Sequence, residues 1–218
     1  MGSVELVPLA SATVTAYTIA AVLLGVLTRR NLASLRYRRP SEADRPLPSS
    51  TRWVPPVSAL AAALVSWCAM PNQWRSLLVA TPLLAAGPWL AAVDIDVRRL
   101  PDRVLLPVAG FTLVAIVALA AIDPPVLLRA LGCGFAGFAI YFALHLVSGG
   151  SIGFGDVKLA GVVGLVAGFH GLATVWWSFL AGPLLCVAWA VLTRRGLRDR
   201  VAFGPWLVAG LLVALVLT

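Results

Sequence analysis

Of the nine acidic residues in this 218-residue chain, two occupy places where a carboxylate needs a reason. Asp94 closes the uncharged run 76–93, within Ala91-Ala92-Val93-Asp94-Ile95-Asp96-Val97-Arg98-Arg99-Leu100-Pro101-Asp102. Asp156 opens another, within Gly149-Gly150-Ser151-Ile152-Gly153-Phe154-Gly155-Asp156-Val157-Lys158. Ionising a carboxyl group in or beside hydrocarbon is costly, so such residues point to function. Each alone has a plain explanation. Asp94 reads as a solvated loop acid beside arginines, Asp156 as a first-turn acid favoured by its helix dipole. A shared site changes the chemistry. Two neighbouring carboxylates cannot both ionise cheaply, so one holds a proton near neutral pH. The ionised member can activate a water as general base while the protonated one polarises a carbonyl. Peptide hydrolysis can proceed on such a pair without a metal.

The elements that must position this pair follow from the hydropathy pattern. Uncharged stretches cover 6–28, 53–74, 76–93, 104–122, 130–155, 159–193 and 201–218. The chain is 60% hydrophobic and 12% charged, with a mean hydropathy of +0.93. A soluble domain carries about 25% charged residues. A bilayer core of ~30 Å takes about 20 helical residues, so each stretch is near spanning length. The stretch 159–193 is too long for one span and breaks at Gly168-Phe169-His170-Gly171. The expectation is an all-α, polytopic membrane bundle of about eight transmembrane helices, near 6–27, 54–71, 76–93, 104–122, 126–147, 156–169, 172–192 and 202–217. The whole of 1–218 reads as a single membrane domain.

Charge orients it. With both termini outside, the cytoplasmic segments 28–53, 94–103, 148–158 and 193–201 hold seven, three, one and four Lys/Arg, 15 of the 17. Only Arg75 and Arg129 remain outside, as the positive-inside bias requires. Segment 28–53 reads as a basic cytoplasmic connector lying against the headgroups, too short and polar to build a core. The formal net charge of +8 belongs to these flanks facing anionic lipid, not to nucleic-acid binding. The N-terminus has no basic start or small-residue cleavage site, so the first helix is expected to be retained. Trp53, Trp74, Trp89 and Trp206 fall near span ends, where amphipathic rings belong.

Other candidates carry less. Glu5, Glu42, Asp44, Asp123 and Asp199 are expected to be solvated in tails and loops. Cys68, Cys133 and Cys186 fall inside spans and form no C-x-x-C pair, and His145 and His170 have no partner at metal-ligand spacing, so no metal or cofactor is expected. Gly161, Gly164 and Gly168 have the spacing of close helix packing. The glycines before Asp156 let a backbone approach closely, which suits a site that must take an extended peptide.

Gly153-Phe154-Gly155-Asp156-x-Lys158 resembles the GxGD motif of the type IV prepilin peptidases, with its following lysine. Asp94-Ile95-x-x-x-x-Leu100-Pro101-Asp102 resembles the family's other motif, an acid followed by a basic stretch and Leu/Ile-Pro-Asp/Asn. The resemblance covers roughly 80–190, the expected peptidase core. It implies Asp94 and Asp156 as the catalytic pair, with Gly153, Gly155, Lys158 and Asp96 supporting. It further implies removal of a short basic leader from prepilins or pseudopilins, after a glycine, at the cytoplasmic face of a bacterial inner membrane. Asp96 competes with Asp94 for the first role, and the motif spacing favours Asp94. Asp102 reads as structural, as a cap of the fourth helix. Lys158 fits either a tuning role or a snorkelling interfacial lysine. Larger members carry a cytoplasmic domain with paired cysteines linked to N-methylation, whereas 28–53 contains no cysteine. Peptidase activity is therefore expected and methyl transfer is not.

Three other readings compete with this one. A small secondary transporter would use Asp94 and Asp156 as a cation or proton site, but such sites favour the bilayer midplane and internal repeats. A presenilin-type protease shares GxGD but carries a downstream Pro-Ala-Leu, which this chain lacks. An inactive assembly subunit would not need both acids intact.

Overall fold

The computed structural model describes residues 6–42, 44–46, 48, 50–68, 74–149, 152–194 and 201–218, with backbone only for 6–13, 67 and 68. Glu5, Gly150, Ser151 and Asp199 lie outside the described residues, as does the side chain of Cys68. Among the described residues there are eight α-helices and no strand. They are α1 (Leu6–Ala33), α2 (Val54–Cys68), α3 (Trp74–Val97), α4 (Asp102–Ala120), α5 (Pro124–Val147), α6 (Phe154–His170), α7 (Leu172–Leu192) and α8 (Gly204–Leu217). The all-helical, multi-pass architecture expected from the apolar blocks is present, with boundaries within a few residues. α1 continues past its expected end through Arg29 and Arg30 to Ala33, carrying charge beyond the apolar run.

Among the described residues, four helices, α3, α4, α5 and α7, are long and apolar enough to cross a bilayer. Helices α2, α6 and α8 have only 15, 17 and 14 residues. At ~1.5 Å per residue such helices reach roughly 21–26 Å, short of a ~30 Å hydrocarbon core. Burial explains the shortness of α6 and α8, because neighbouring helices rather than lipid surround them. α6 contacts α3, α4, α5, α7 and α8, and ten of its seventeen residues are buried. By contrast, α5 and α7 turn Leu128, Phe135, Val147, Trp176 and Val191 outward, the pattern of helices facing acyl chains.

Glycine lets α6 lie so close to α5. A Cβ at Gly168 would lie 2.7 Å from Cys133 Cβ and 3.0 Å from Ala130 Cα, and one at Gly164 would run into the Cys133 carbonyl. Gly164 and Gly168 therefore have the packing role their spacing predicts. The Gly168-to-Gly171 break is real as well: Gly171 has φ +150°, open to glycine but not to ordinary L residues, and α7 starts at once. Opposite that break, the Arg129 guanidinium donates to the carbonyls of Gly168 and Phe169 at 2.7 and 2.8 Å. It satisfies carbonyls that a helix end leaves bare.

Replacing Gly164 by Val should force α5 and α6 apart and lower stability by about 1–3 kcal/mol or more. A thermal midpoint measured in detergent should fall clearly for Gly164→Val. It should hardly move for Gly132→Val, since nothing lies within 4 Å of a Cβ at Gly132.

Candidate active site

The C-terminal end of α3 and the N-terminal ends of α6 and α8 meet at one end of the bundle. Asp94 lies in the last turn of α3 and is 4% exposed; Asp156 lies in the first turn of α6 and is 8% exposed. Gly204, the first residue of α8, stands between them. Its amide donates to Asp94 Oδ2 at 3.0 Å. A Cβ on Gly204 would lie 3.0 Å from Asp94 Oδ2 and 3.5 Å from Asp156 Oδ1. The two oxygens are thus no farther apart than the sum of those distances. Asp156 Oδ2 accepts the Gly153 amide at 3.2 Å, closing the start of its own helix. Asp156 Oδ1 is buried and has no hydrogen-bond partner among the described residues. A bare buried carboxyl oxygen is costly and marks a position open to reaction.

The two sequence motifs hold each other in place. α3 ends at Val97, and Arg98 adopts φ +54°, turning the chain so that Leu100 meets the start of α6. A Cβ at Gly155 would lie 2.9 Å from Leu100 Cβ and 3.2 Å from Leu100 N, so glycine is required for that approach. Lys158 Nζ grips both oxygens of Asp102, at 2.7 and 2.8 Å, and lies 4.9 Å above the Phe154 ring. Asp102 is thus not a cap. Pro101 is the N-cap of α4, and the Asp102 carboxylate is turned toward Lys158. Lys158 thereby ties α6 to the start of α4.

Asp96 is held elsewhere. Its carboxylate takes Tyr37 Oη at 2.7 Å and the Arg38 guanidinium at 2.7 and 2.8 Å, outside the space shared by Asp94 and Asp156. The connector 28–53 is consequently more than a charged strap. Leu32, Trp53, Val54 and Tyr37 pack with Val93 and Val97 of α3. Glu42, expected to be solvated, is buried and pairs with Arg99 at 2.8 and 2.9 Å. His145 Nδ1 bonds the Ile152 carbonyl at 2.6 Å and His170 Nδ1 the Val166 carbonyl at 2.8 Å, both structural contacts. Sequence reasoning did not find Gly204. Pro205 after it marks a helix start, but nothing local links that start to Asp94.

A largely apolar groove of about 640 Å³ runs between α2, α3 and α8, from Arg98, Ile95 and Trp206 toward Leu84 and Leu212; its lining residues Ile95 and Pro205 are the chain neighbours of Asp94 and Gly204.

Residues 78–193 match the type IV leader peptidase family, a segment that contains both acids and their motifs. The chain belongs to this family. Similar proteins include the prepilin leader peptidase/N-methyltransferase of Dickeya chrysanthemi, 32% identical over 134 residues, 59% of this chain and 46% of that one. The protein of the same name from Bacillus subtilis (strain 168) is 32% identical over 128 residues, covering 57% and 50%. That from Pectobacterium carotovorum subsp. carotovorum is 27% identical over 158 residues, covering 70% and 54%. The chain spans about half the length of these curated relatives. No solved structure matches it. The family segment ends before α8, so Gly204 enters the site from outside it.

The Glu42–Arg99 pair makes a pH prediction for the connector. Hydrogen bonding to Arg99 holds the Glu42 carboxyl down at about 2, against an ordinary 4.5. A depressed acid contributes stability above its ordinary value and loses it as pH falls through the lowered one. Glu42→Gln should therefore melt below wild type at neutral pH, and the gap should close between pH 4.5 and about 2. Thermal midpoints across that range check it.

Proposed function

We propose that this chain is a membrane aspartyl endopeptidase that removes the short basic leader of a prepilin or pseudopilin, cutting after a glycine at the cytoplasmic face of a bacterial inner membrane. The observation that carries the reading is the convergence of two buried carboxylates, Asp94 and Asp156, on the side-chain-free Gly204. Membership of the leader peptidase family supports the reaction class. The basic connectors support the membrane side, since 15 of 17 Lys/Arg fall in the segments that the hydropathy pattern assigns to the cytoplasm, among them those carrying Asp94 and Asp156.

Hydrolysis on this pair balances without a cofactor. One carboxylate takes a proton from water as the water oxygen bonds to the scissile carbonyl carbon; the other carboxyl gives its proton to the carbonyl oxygen. The resulting diol collapses when the first group protonates the amide nitrogen and the second recovers its proton. The C–N bond then breaks and both groups return to their starting state. The apolar groove supports a substrate that reaches the acids with a hydrophobic segment still in the bilayer. The location of both acids at helix ends, not mid-bundle, weighs against a transporter. Methyl transfer, which stands in the relatives' names, is left outside this proposal because segment 28–53 has no cysteine. Nucleic acid has no part in it.

Co-expression with a tagged prepilin tests the proposal, with leader removal followed by gel shift and N-terminal sequencing at equal membrane abundance. Asp94→Asn and Asp156→Asn should each abolish cleavage. Asp96→Asn should retain it, since that carboxylate is engaged by Arg38 and Tyr37. Wild type that leaves several prepilins and pseudopilins uncut would sink the proposal. In the same assay Gly155→Ala should lose about 100-fold in rate, because its methyl pushes Leu100 and the α6 start apart.

A further inference from the structure

The two acids are not equivalent. Asp94 Oδ2 receives an amide hydrogen from the first residue of α8, the positive end of that helix. The Arg98 guanidinium, in the turn just past the end of α3, adds positive charge near Asp94. Asp156 also stands in a first turn and receives one amide, from Gly153 at 3.2 Å, so helix ends alone do not separate the pair. The difference is Asp156 Oδ1. It is buried, lies 3.5 Å from where a Gly204 Cβ would be, and has no donor among the described residues. An anion would leave that oxygen bare, whereas a neutral carboxyl can carry a proton there and present it to a substrate carbonyl. Tyr141 on α5 is another titratable group that faces Asp156. No cation approaches Asp156 among the contacts described, since Lys158 is taken up by Asp102.

We infer that Asp94 is the ionised member and general base, that Asp156 carries the shared proton, and that Gly204 is the positioning residue that fixes this division. The inference rests on the leader-peptidase reading and goes beyond it by assigning each acid a role. It also brings in a residue outside the family segment. Gly204 acts twice. Its amide holds Asp94 in the ionised form, and its missing side chain leaves space between the carboxyls for the attacking water and the carbonyl. In the hydrolytic step, Asp94 takes the proton from water and Asp156 gives one to the carbonyl oxygen; on collapse Asp94 passes its proton to the leaving amide nitrogen and Asp156 recovers one from the diol.

Two carboxyl reagents read the assignment on the wild-type full chain in detergent. A small aryl epoxide is opened by a carboxylate anion, whose oxygen bonds to carbon while the released alkoxide takes a proton from water. A diazoacetyl reagent takes the proton of a neutral carboxylic acid and loses nitrogen as the ester forms. Peptide mass spectrometry near neutral pH should place the epoxide on Asp94 and the diazoacetyl ester on Asp156. The reverse pattern, or equal labelling of both residues by both reagents, overturns the assignment. Gly204→Ala keeps the amide but sets a methyl 3.0 Å from Asp94 Oδ2. Its kcat should fall about 100-fold with KM little changed, and the acid limb of its pH profile should move up as the bond to Asp94 weakens. Wild-type kcat and pH profile in Gly204→Ala overturn the positioning role. If that variant fails to accumulate, the labelling of wild type still decides. Gly132→Ala serves as a folded control. Failure of wild type to cut any prepilin, with labelling as expected, counts against the proposed function alone; cleavage with swapped labels counts against this inference alone.

Discussion

The hydrogen bond from the Gly204 amide to Asp94 Oδ2 joins residues 110 positions apart, and much of the bundle is arranged to permit it. An amide can reach a buried carboxylate this closely only where no side chain intervenes. The start of α8 must therefore lie directly against the last turn of α3, with α6 as the third wall. α8 is held there along its length. Gly210 lies against Ser178 and Gly182 of α7, and Thr218 meets Thr174 at 2.8 Å at the far end. Two carboxyl groups removed from water would repel each other and lose hydration. Two backbone amides and one retained proton offset part of that cost.

A helix too short to span comfortably can hold one of the acids because it scarcely needs to meet lipid. α6 is enclosed by five other helices, so its ends need protein partners rather than headgroups. It finds them in Arg129 at one end and in Leu100 and Asp102 at the other. Glycines toward α5 at Gly164 and Gly168, and toward the turn after α3 at Gly155, bring those partners within reach. The same enclosure fixes Asp156 relative to Asp94, since a rigid central helix leaves little freedom for either carboxyl to withdraw.

Much of this was legible in the sequence, because membrane helices announce themselves by long apolar runs and the acids fall at their ends. The helix bundle, the break at Gly171 and the glycine packing of α6 all follow from local composition. What escaped notice depends on contacts between distant segments. The connector looked too short and polar to build a core, yet Tyr37, Arg38 and Glu42 each find a partner on α3 or just after it. Asp102 and Lys158 are separated by 56 residues, so their pairing had no local signature. Gly204 was hidden for the same reason: a glycine before a proline reads as an ordinary helix start.

Asp94 and Asp96 show how two residues of separation can divide structure from chemistry. Successive residues in an α-helix are about 100° apart, so these two carboxylates leave α3 on nearly opposite faces. One face meets the connector, and there Asp96 is surrounded by a guanidinium and a phenol that occupy both its oxygens. A carboxylate so engaged would have to disrupt an ion pair to act as a base. The other face meets α6 and α8, where Asp94 has a single amide for a partner and a second carboxyl nearby. A base needs a weakly committed anion and a neighbour able to hold a proton. Only the inward face of α3 provides both.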